Sequence, residues 1–281
     1  MQSKRLVKIK SHGITDEKYF VAFLDILGYK EIVKDYVEKK TDIVYKIRNA
    51  FKEATSDIQL NGLNDGYIKT KLNQFSDCTS IAIHHPSIQD PDQNKEIFLI
   101  LIAYSLVILS RLQTCLLTSN LYIRCGLSLG LHYENDNMIF SEGLINSYEL
   151  ESKAVYPRII IDNNLLNSLK SFSKTHKDII SKYCIDKLLI SDWDGLVFIN
   201  PFNLIEVSLA NLDTEHKRQK AIKENEEIQL EIINNVEKQI KKYKGKEGYY
   251  NVLRKYLWLN ELIKWNKDKN SSKIRFEYFL K

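Results

Sequence analysis

Two aspartates sit where carboxylates are expensive. Asp25 closes the apolar run Tyr19-Phe-Val-Ala-Phe-Leu-Asp25 and is followed by Ile26-Leu-Gly-Tyr29, and Asp77 ends Leu72-Asn-Gln-Phe-Ser-Asp77. A carboxylate beside that much apolar sequence is costly to desolvate unless a cation compensates it, and a hard divalent cation is the first candidate. Each aspartate also has a plainer reading, as the N-cap of a following helix or as turn chemistry at a hairpin tip. A third charge, Arg124, lies within the otherwise apolar stretch 121–131. Unpaired it would be strongly destabilising, and a phosphate is favoured over a structural carboxylate as its partner. Gly126 and Gly130, two and six residues on, fit close approach of another backbone.

The elements that must position these residues follow from hydrophobic period and turn punctuation. Residues 18–27 read as a central strand, Gly28 breaks the run, and an amphipathic pattern over 30–56 predicts one long helix. Asn61-Gly62 and Asp65-Gly66 mark a loop. The runs 67–75 and 79–85 pair as a hairpin with Asp77 at its tip. A buried helix over 95–118 follows, then strands over 121–131 and 138–140 joined by a turn at 134–137, a helix over 142–154 and a strand over 158–162. The order β-α-β-β-α-β predicts an α+β fold, a ferredoxin-like palm, in which the end of the first strand and the hairpin tip become neighbours. The division expected is a palm over 15–165 and an extension over 166–281 packed on it. The extension carries a short two-stranded piece over 188–199 and two amphipathic helices. The first of these starts at an N-cap Asp213 and stops at Gly245; the second shows a stripe of Val252, Tyr256, Leu259 and Ile263.

Composition narrows the function classes. With 281 residues, 44% hydrophobic and 27% charged, the chain can bury a full core. The net charge of +5 is a mild, diffuse excess that favours an anionic small molecule over a nucleic acid. The lysines within 4–10 and 238–246 are mixed with apolar or acidic residues and read as solvated faces. Cys78, Cys115, Cys125 and Cys184 are far apart and fit reduced thiols, and His84-His85 lacks further ligands at zinc spacing. The apolar run 97–109 falls short of the ~20 residues a membrane helix needs and is read as a buried helix, and no signal-type core follows Met1. A cytoplasmic protein with no membrane or nucleic-acid partner is expected.

Three blocks resemble a known family, the class III nucleotidyl cyclases. Phe23-Leu-Asp-Ile-Leu-Gly-Tyr29 is similar to its first metal motif, Phe75-Ser-Asp77 to its hairpin motif, and Arg124-Cys-Gly-Leu-Ser-Leu-Gly130 to its strand motif Arg-x-Gly-x-x-x-Gly. Further stretches resemble the pyrimidine cyclases of the bacterial anti-phage Pycsar systems. These are Ser147-Tyr-Glu-Leu-Glu151, Ala154-Val-Tyr-Pro-Arg158, Asp194-Gly195 and Lys255-Tyr-Leu-Trp258. The resemblance implies conversion of UTP or CTP to the 3′,5′-cyclic monophosphate and pyrophosphate, with a slight lean to UTP. It implies Asp25 and Asp77 bridging two Mn²⁺ or Mg²⁺, with the Ile26 carbonyl completing one shell and Arg124 among the catalytic residues. Leu27, Gly28 and Tyr29 would present backbone N–H groups to the triphosphate, Asn73 would stand in the base pocket, and Phe23 would border the nucleotide unless it is simply core. It further implies a homodimer with shared active sites and a separate effector responding to the cyclic nucleotide.

Departures from the purine members bear on substrate. Their base-reading lysine position is Asn73 here, with Lys71 two residues earlier, and their asparagine and transition-state arginine align with Ile145 and Glu149. A glutamate cannot replace an arginine at a developing anion, so Arg124, Lys153 or Arg158 must supply charge beside the metals. A purine cyclase with atypical base recognition, or a catalytically silent palm that binds nucleotide and dimerises, are the alternatives.

Overall fold

The computed structural model describes residues 17–55, 68–89, 92–135 and 137–280. The turns expected at 61–62 and 65–66, the basic stretch 4–10 and part of the turn at 134–137 fall outside the described residues. The elements in chain order are β1 (Lys18–Ile26), α1 (Tyr29–Lys39), α2 (Ile43–Thr55), β2 (Lys69–Phe75), β3 (Cys78–His84), α3 (Lys95–Thr118), β4 (Ile123–Asn135), β5 (Met138–Ser141), α4 (Glu142–Lys153) and β6 (Ile159–Ile161). They continue with α5 (Asn163–Ser173), α6 (Lys177–Lys182), α7 (Ile185–Leu188), β7 (Leu189–Ser191), β8 (Val197–Ile199), α8 (Leu204–Ala210), α9 (Glu215–Tyr243), α10 (Tyr250–Lys267) and β9 (Glu277–Tyr278).

Among the described residues the strands form one sheet in the order β2-β3-β1-β4-β6-β8-β7-β9, with β5 paired to β4. The first four are mutually antiparallel, which with α1 and α2 before β2 and α3 before β4 is the ferredoxin-like arrangement expected. Alternation along β1 sorts its side chains between two faces. Phe20, Ala22, Leu24 and Ile26 join Ile81, Ile83, Ile123 and Leu127 in the main core under α2 and α3. Helix α3 is apolar and long enough to cross a bilayer by composition, yet 72% of its most apolar window is buried inside this fold. Tyr19, Val21, Phe23 and Asp25 take the opposite face, where α4 lies across β1 and β4.

Helix α4 approaches the sheet at its glycines. A Cβ on Gly126 would meet the Ser147 carbonyl oxygen at 2.2 Å and the Leu150 Cβ at 2.5 Å, and one on Gly130 would meet the Gly143 nitrogen at 2.6 Å. The spacing Gly-x-x-x-Gly in β4 therefore serves helix-on-sheet contact.

The single helix expected over 30–56 is two. α1 ends at Lys40, which is left-handed (φ 51°, ψ 45°) and donates its N–H to the Tyr36 carbonyl, and Lys46 donates to the Asp42 carbonyl as α2 begins. α1 buries no residue fully and touches the core through Tyr29 and Ile32, whereas α2 buries Ile47, Ala50, Phe51 and Ala54, so the break lets the second helix turn its stripe fully inward. The cap of α9 is Thr214, whose Oγ1 accepts from the Lys217 amide, and not Asp213, whose carboxylate pairs with the Lys217 ammonium.

The strands after β6 extend the palm's sheet, and a buried charge cluster ties them to it. Arg158, wholly buried, donates through Nη1 to Asp192 Oδ1 at 3.1 Å and through Nη2 to Asp194. Trp258 Nε1 donates to Asp192 Oδ2 at 2.8 Å, and the rings of Tyr156, Phe198 and Trp258 surround the guanidinium at 5.4–5.6 Å. Arg158 was a candidate source of charge for phosphate; it is instead consumed here, because the extension brings two aspartates to it.

Three substitutions test this packing. Gly126→Ala should lower unfolding stability by about 3 kcal/mol, since backbone of α4 must move to admit one methyl. Arg158→Met, which strands the buried Asp192 carboxylate and leaves the more accessible Asp194 without its cation, should cost about 3–5 kcal/mol, whereas Lys187→Met, removing the exposed pair with Glu206, should change stability by less than about 1 kcal/mol. Urea denaturation midpoints measure all three.

Candidate active site

Strand register brings the chemistry together. In the antiparallel ladder Asp25 faces Cys78 across β1–β3 and Arg124 across β1–β4, and directly opposed residues share a face. The β2–β3 hairpin turns through Ser76 and Asp77 alone, with Ser76 at φ 59° as the first tip residue of a type II′ turn requires. The Asp77 carbonyl accepts the Ile26 amide at 3.0 Å, which pins the tip to the end of β1. The carboxylates of Asp25 and Asp77 and the thiol of Cys78 consequently lie within 4.8 Å of one another, all partly buried.

The donor set suits a hard cation. Two carboxylates at that separation can share an Mg²⁺ or Mn²⁺ ion, which prefers oxygen ligands. Burial, with Asp77, Asp25 and Glu151 nearby, pushes the Cys78 thiol up to about 11, and its soft sulfur is in any case a poor ligand for a hard cation.

Arg124 meets carboxylates rather than the phosphate expected for it. Its Nη2 lies 2.7 Å from Asp25 Oδ2 and 2.7 Å from Glu151 Oε1, bridging the two. Glu151 is buried, which raises its pKa against the opposing pull of Arg124. Lys255 of α10 completes the charge cluster. Its ammonium is half-buried and within electrostatic range of Arg124, Asp25 and Glu151, and burial followed by Arg124 and Arg254 depresses its pKa.

The remaining expected positions divide. Phe23 is 7% exposed, with its ring edge-on to Tyr148 at 5.4 Å and 6.5 Å from Phe75, so it forms an aromatic wall beside Asp25. The Leu27 amide is taken by the Tyr122 carbonyl at 2.8 Å and is lost to a triphosphate. Gly28 (φ 74°) caps α1 without a side chain, leaving the first-turn amides of Tyr29 and Lys30 ahead of the first intrahelical acceptor. Asn73 Nδ2 donates to Glu134 Oε1 at 2.8 Å and Lys71 Nζ to the Glu134 carbonyl at 2.9 Å. His132 joins the same group, 2.9 Å from Glu134 Oε2 and 2.8 Å from Ser141 Oγ. Ile145 and Glu149, at the positions of the purine enzymes' asparagine and arginine, are both exposed on α4. A surface cleft lined by Lys187, Glu206, Glu215 and Arg218 shares no residue with this site.

Glu151 and Lys255 were not singled out as site residues from sequence. Glu151 follows Ser147 by four positions and faces the gap left by Gly126, a periodicity that could have marked it. Lys255 opens the quoted stretch Lys255-Tyr-Leu-Trp258, but no local pattern ties it to Arg124, which lies more than a hundred residues earlier in the chain.

No family model and no curated protein matches the chain. Solved structures do. The guanylyl cyclase Cya2 matches at 12% identity and TM-score 0.32 over 54% of this chain and 77% of that one. A bacterial light-regulated adenylyl cyclase matches at 12% and 0.35 over 70% and 98%. The guanylate cyclase domain of RhGC from Catenaria anguillulae, solved with GTP, matches at 11% and 0.33 over 65% and 94%. At these scores the functional reading rests on the site itself.

Titration with Mn²⁺, followed by calorimetry or by loss of the free-ion electron paramagnetic signal, should report the carboxylate pair. Asp25→Asn and Asp77→Asn should each weaken binding by about tenfold or more, since even outer-shell partners typically cost that much. Cys78→Ser should bind within about threefold of the parent, because a soft sulfur contributes little to holding a hard cation. Unchanged Mn²⁺ binding in Asp77→Asn would remove the shared site.

Proposed function

We propose that the protein is a metal-dependent nucleotidyl cyclase acting on a pyrimidine nucleoside triphosphate, UTP or CTP, and releasing pyrophosphate. The observation that carries this reading is the convergence of Asp25 and Asp77 within 4.8 Å at the end of the central strand and the tip of the adjoining hairpin. In cyclisation the ribose 3′-oxygen bonds to the α-phosphorus, its proton departs, and the bond to the β-phosphate oxygen breaks. Divalent cations held by Asp25 and Asp77 would supply positive charge beside the attacking and leaving oxygens.

The chain's own groups supply the rest. The first-turn amides of α1 receive phosphate oxygens at the positive end of a helix. Arg124 balances Asp25 and Glu151, so that three carboxylates do not repel the incoming anion unopposed. Phe23, Phe75 and Tyr148 offer ring faces and edges to a sugar or base on the same side of the sheet. Asn73 stands where a purine-reading lysine would, its amide oriented by Glu134, which favours the pyrimidine reading together with the motif resemblance.

The open face also supports a homodimer with shared sites. Phe140, Ile145, Tyr148, Met138 and Phe75 are exposed around it, and an isologous pairing would cover them. A role in phage defence, with a separate effector that senses the cyclic product, rests on the Pycsar resemblance alone.

Incubation with ATP, GTP, CTP and UTP in Mn²⁺, with products identified by mass spectrometry, tests the assignment. A cyclic pyrimidine monophosphate is expected, abolished in Asp25→Ala and Asp77→Ala. A cyclic purine product would transfer the assignment to a purine cyclase, and nucleotide binding without turnover would make the palm a silent one.

A further inference from the structure

The palm's own basic residues leave the aspartate site short of positive charge. Asp25, Asp77 and Glu151 face Arg124, whose Nη2 is already shared between Asp25 and Glu151. Arg158 is locked to Asp192 and Asp194. The amides of α1 carry only partial charge.

We propose that Lys255, carried by α10, is a phosphate-binding residue of the aspartate site, supplied by the chain's last long helix. This rests on the reading that the site takes a nucleoside triphosphate, and it names the cation that reading lacks. The Lys255 ammonium lies near Asp25, Glu151 and Arg124, is half-buried, and forms no ion pair or hydrogen bond among the described residues. A lysine whose only task was to hold α10 in place would be expected to end on a carboxylate or in open water.

Two anchors fix where α10 presents it. The neighbouring Tyr256 sets its ring edge-on against Tyr122 at 4.8 Å, and the Tyr122 carbonyl holds the Leu27 amide, so the helix is keyed to the turn that leads into α1. Two residues further, Trp258 stacks on Tyr156 at 5.1 Å and 8° and donates to Asp192. Tyr156 follows shortly after α4, the helix that carries Glu151. The segment of α10 that carries Lys255 is thus seated against the strand start that leads to Arg124 and against the residues that follow α4.

The test uses the full chain and two measurements. Inorganic tripolyphosphate binding is measured by calorimetry with and without Mn²⁺, and turnover is measured with the best of the four nucleotides. Lys255→Ala should weaken tripolyphosphate by about tenfold or more and lower kcat/KM at least as far, the loss of one charge-assisted contact. Lys255→Arg should recover binding to within about threefold, and thermal midpoints should stay level because the side chain has no partner to lose. Wild-type tripolyphosphate binding in Lys255→Ala, or no tripolyphosphate binding by the parent, overturns the proposal. A parent that cyclises nucleotide while Lys255→Ala matches it in both measurements defeats this inference and spares the cyclase reading. A parent whose tripolyphosphate binding depends on Lys255 but which cyclises nothing defeats the cyclase reading and upholds the phosphate site.

Discussion

The structure turns on the repulsion between two carboxylates that the backbone holds together. Asp25 is placed by the β1–β3 and β1–β4 ladders and Asp77 by a two-residue turn whose carbonyl is bonded to the end of β1. The backbone of neither can move away without breaking these hydrogen bonds. Like charges this close raise the free energy of the unliganded fold, and that cost is recovered when positive charge arrives. Arg124 recovers part of it by bridging Asp25 to Glu151. The close seating of α4 on its glycines, which brings Glu151 within reach of Arg124, serves the same balance.

What could be read from sequence was what local pattern encodes. The 24-residue α3 is apolar almost throughout, and its bounds match the expectation of 95–118. The hairpin tip was legible because Ser76-Asp77 separates two strand-like runs, and convergence of the aspartates followed from topology alone. The break between α1 and α2 was not, because Glu38-Lys-Lys-Thr-Asp42 contains neither Gly nor Pro to punctuate the helix. Only tertiary packing shows that α2 has a fully buried stripe and α1 does not. Asp213 and Thr214 are both good caps, and the choice between them depends on backbone geometry that composition does not carry.

The site was legible in its aspartates and illegible in its cations. Arg124 and Arg158 are alike as isolated residues in apolar surroundings, yet each found carboxylates. Those of Arg158 come from the β7–β8 turn more than thirty residues away. Long-range partners of this kind leave no periodic trace. Lys255 is the extreme case, since its relation to Asp25 exists only after β7, β8 and α10 have assembled against the palm.

The shared sheet has a consequence for dividing the molecule. Because β8 pairs with β6, and because Arg158 finds its counter-ions only beyond residue 190, a chain ended after residue 165 would expose an unpaired strand edge beside a buried guanidinium with nothing to neutralise it. Such a fragment would be an aggregation-prone half-structure rather than a minimal enzyme. Evolution by swapping tails onto this palm would therefore demand that each replacement bring its own acidic pair.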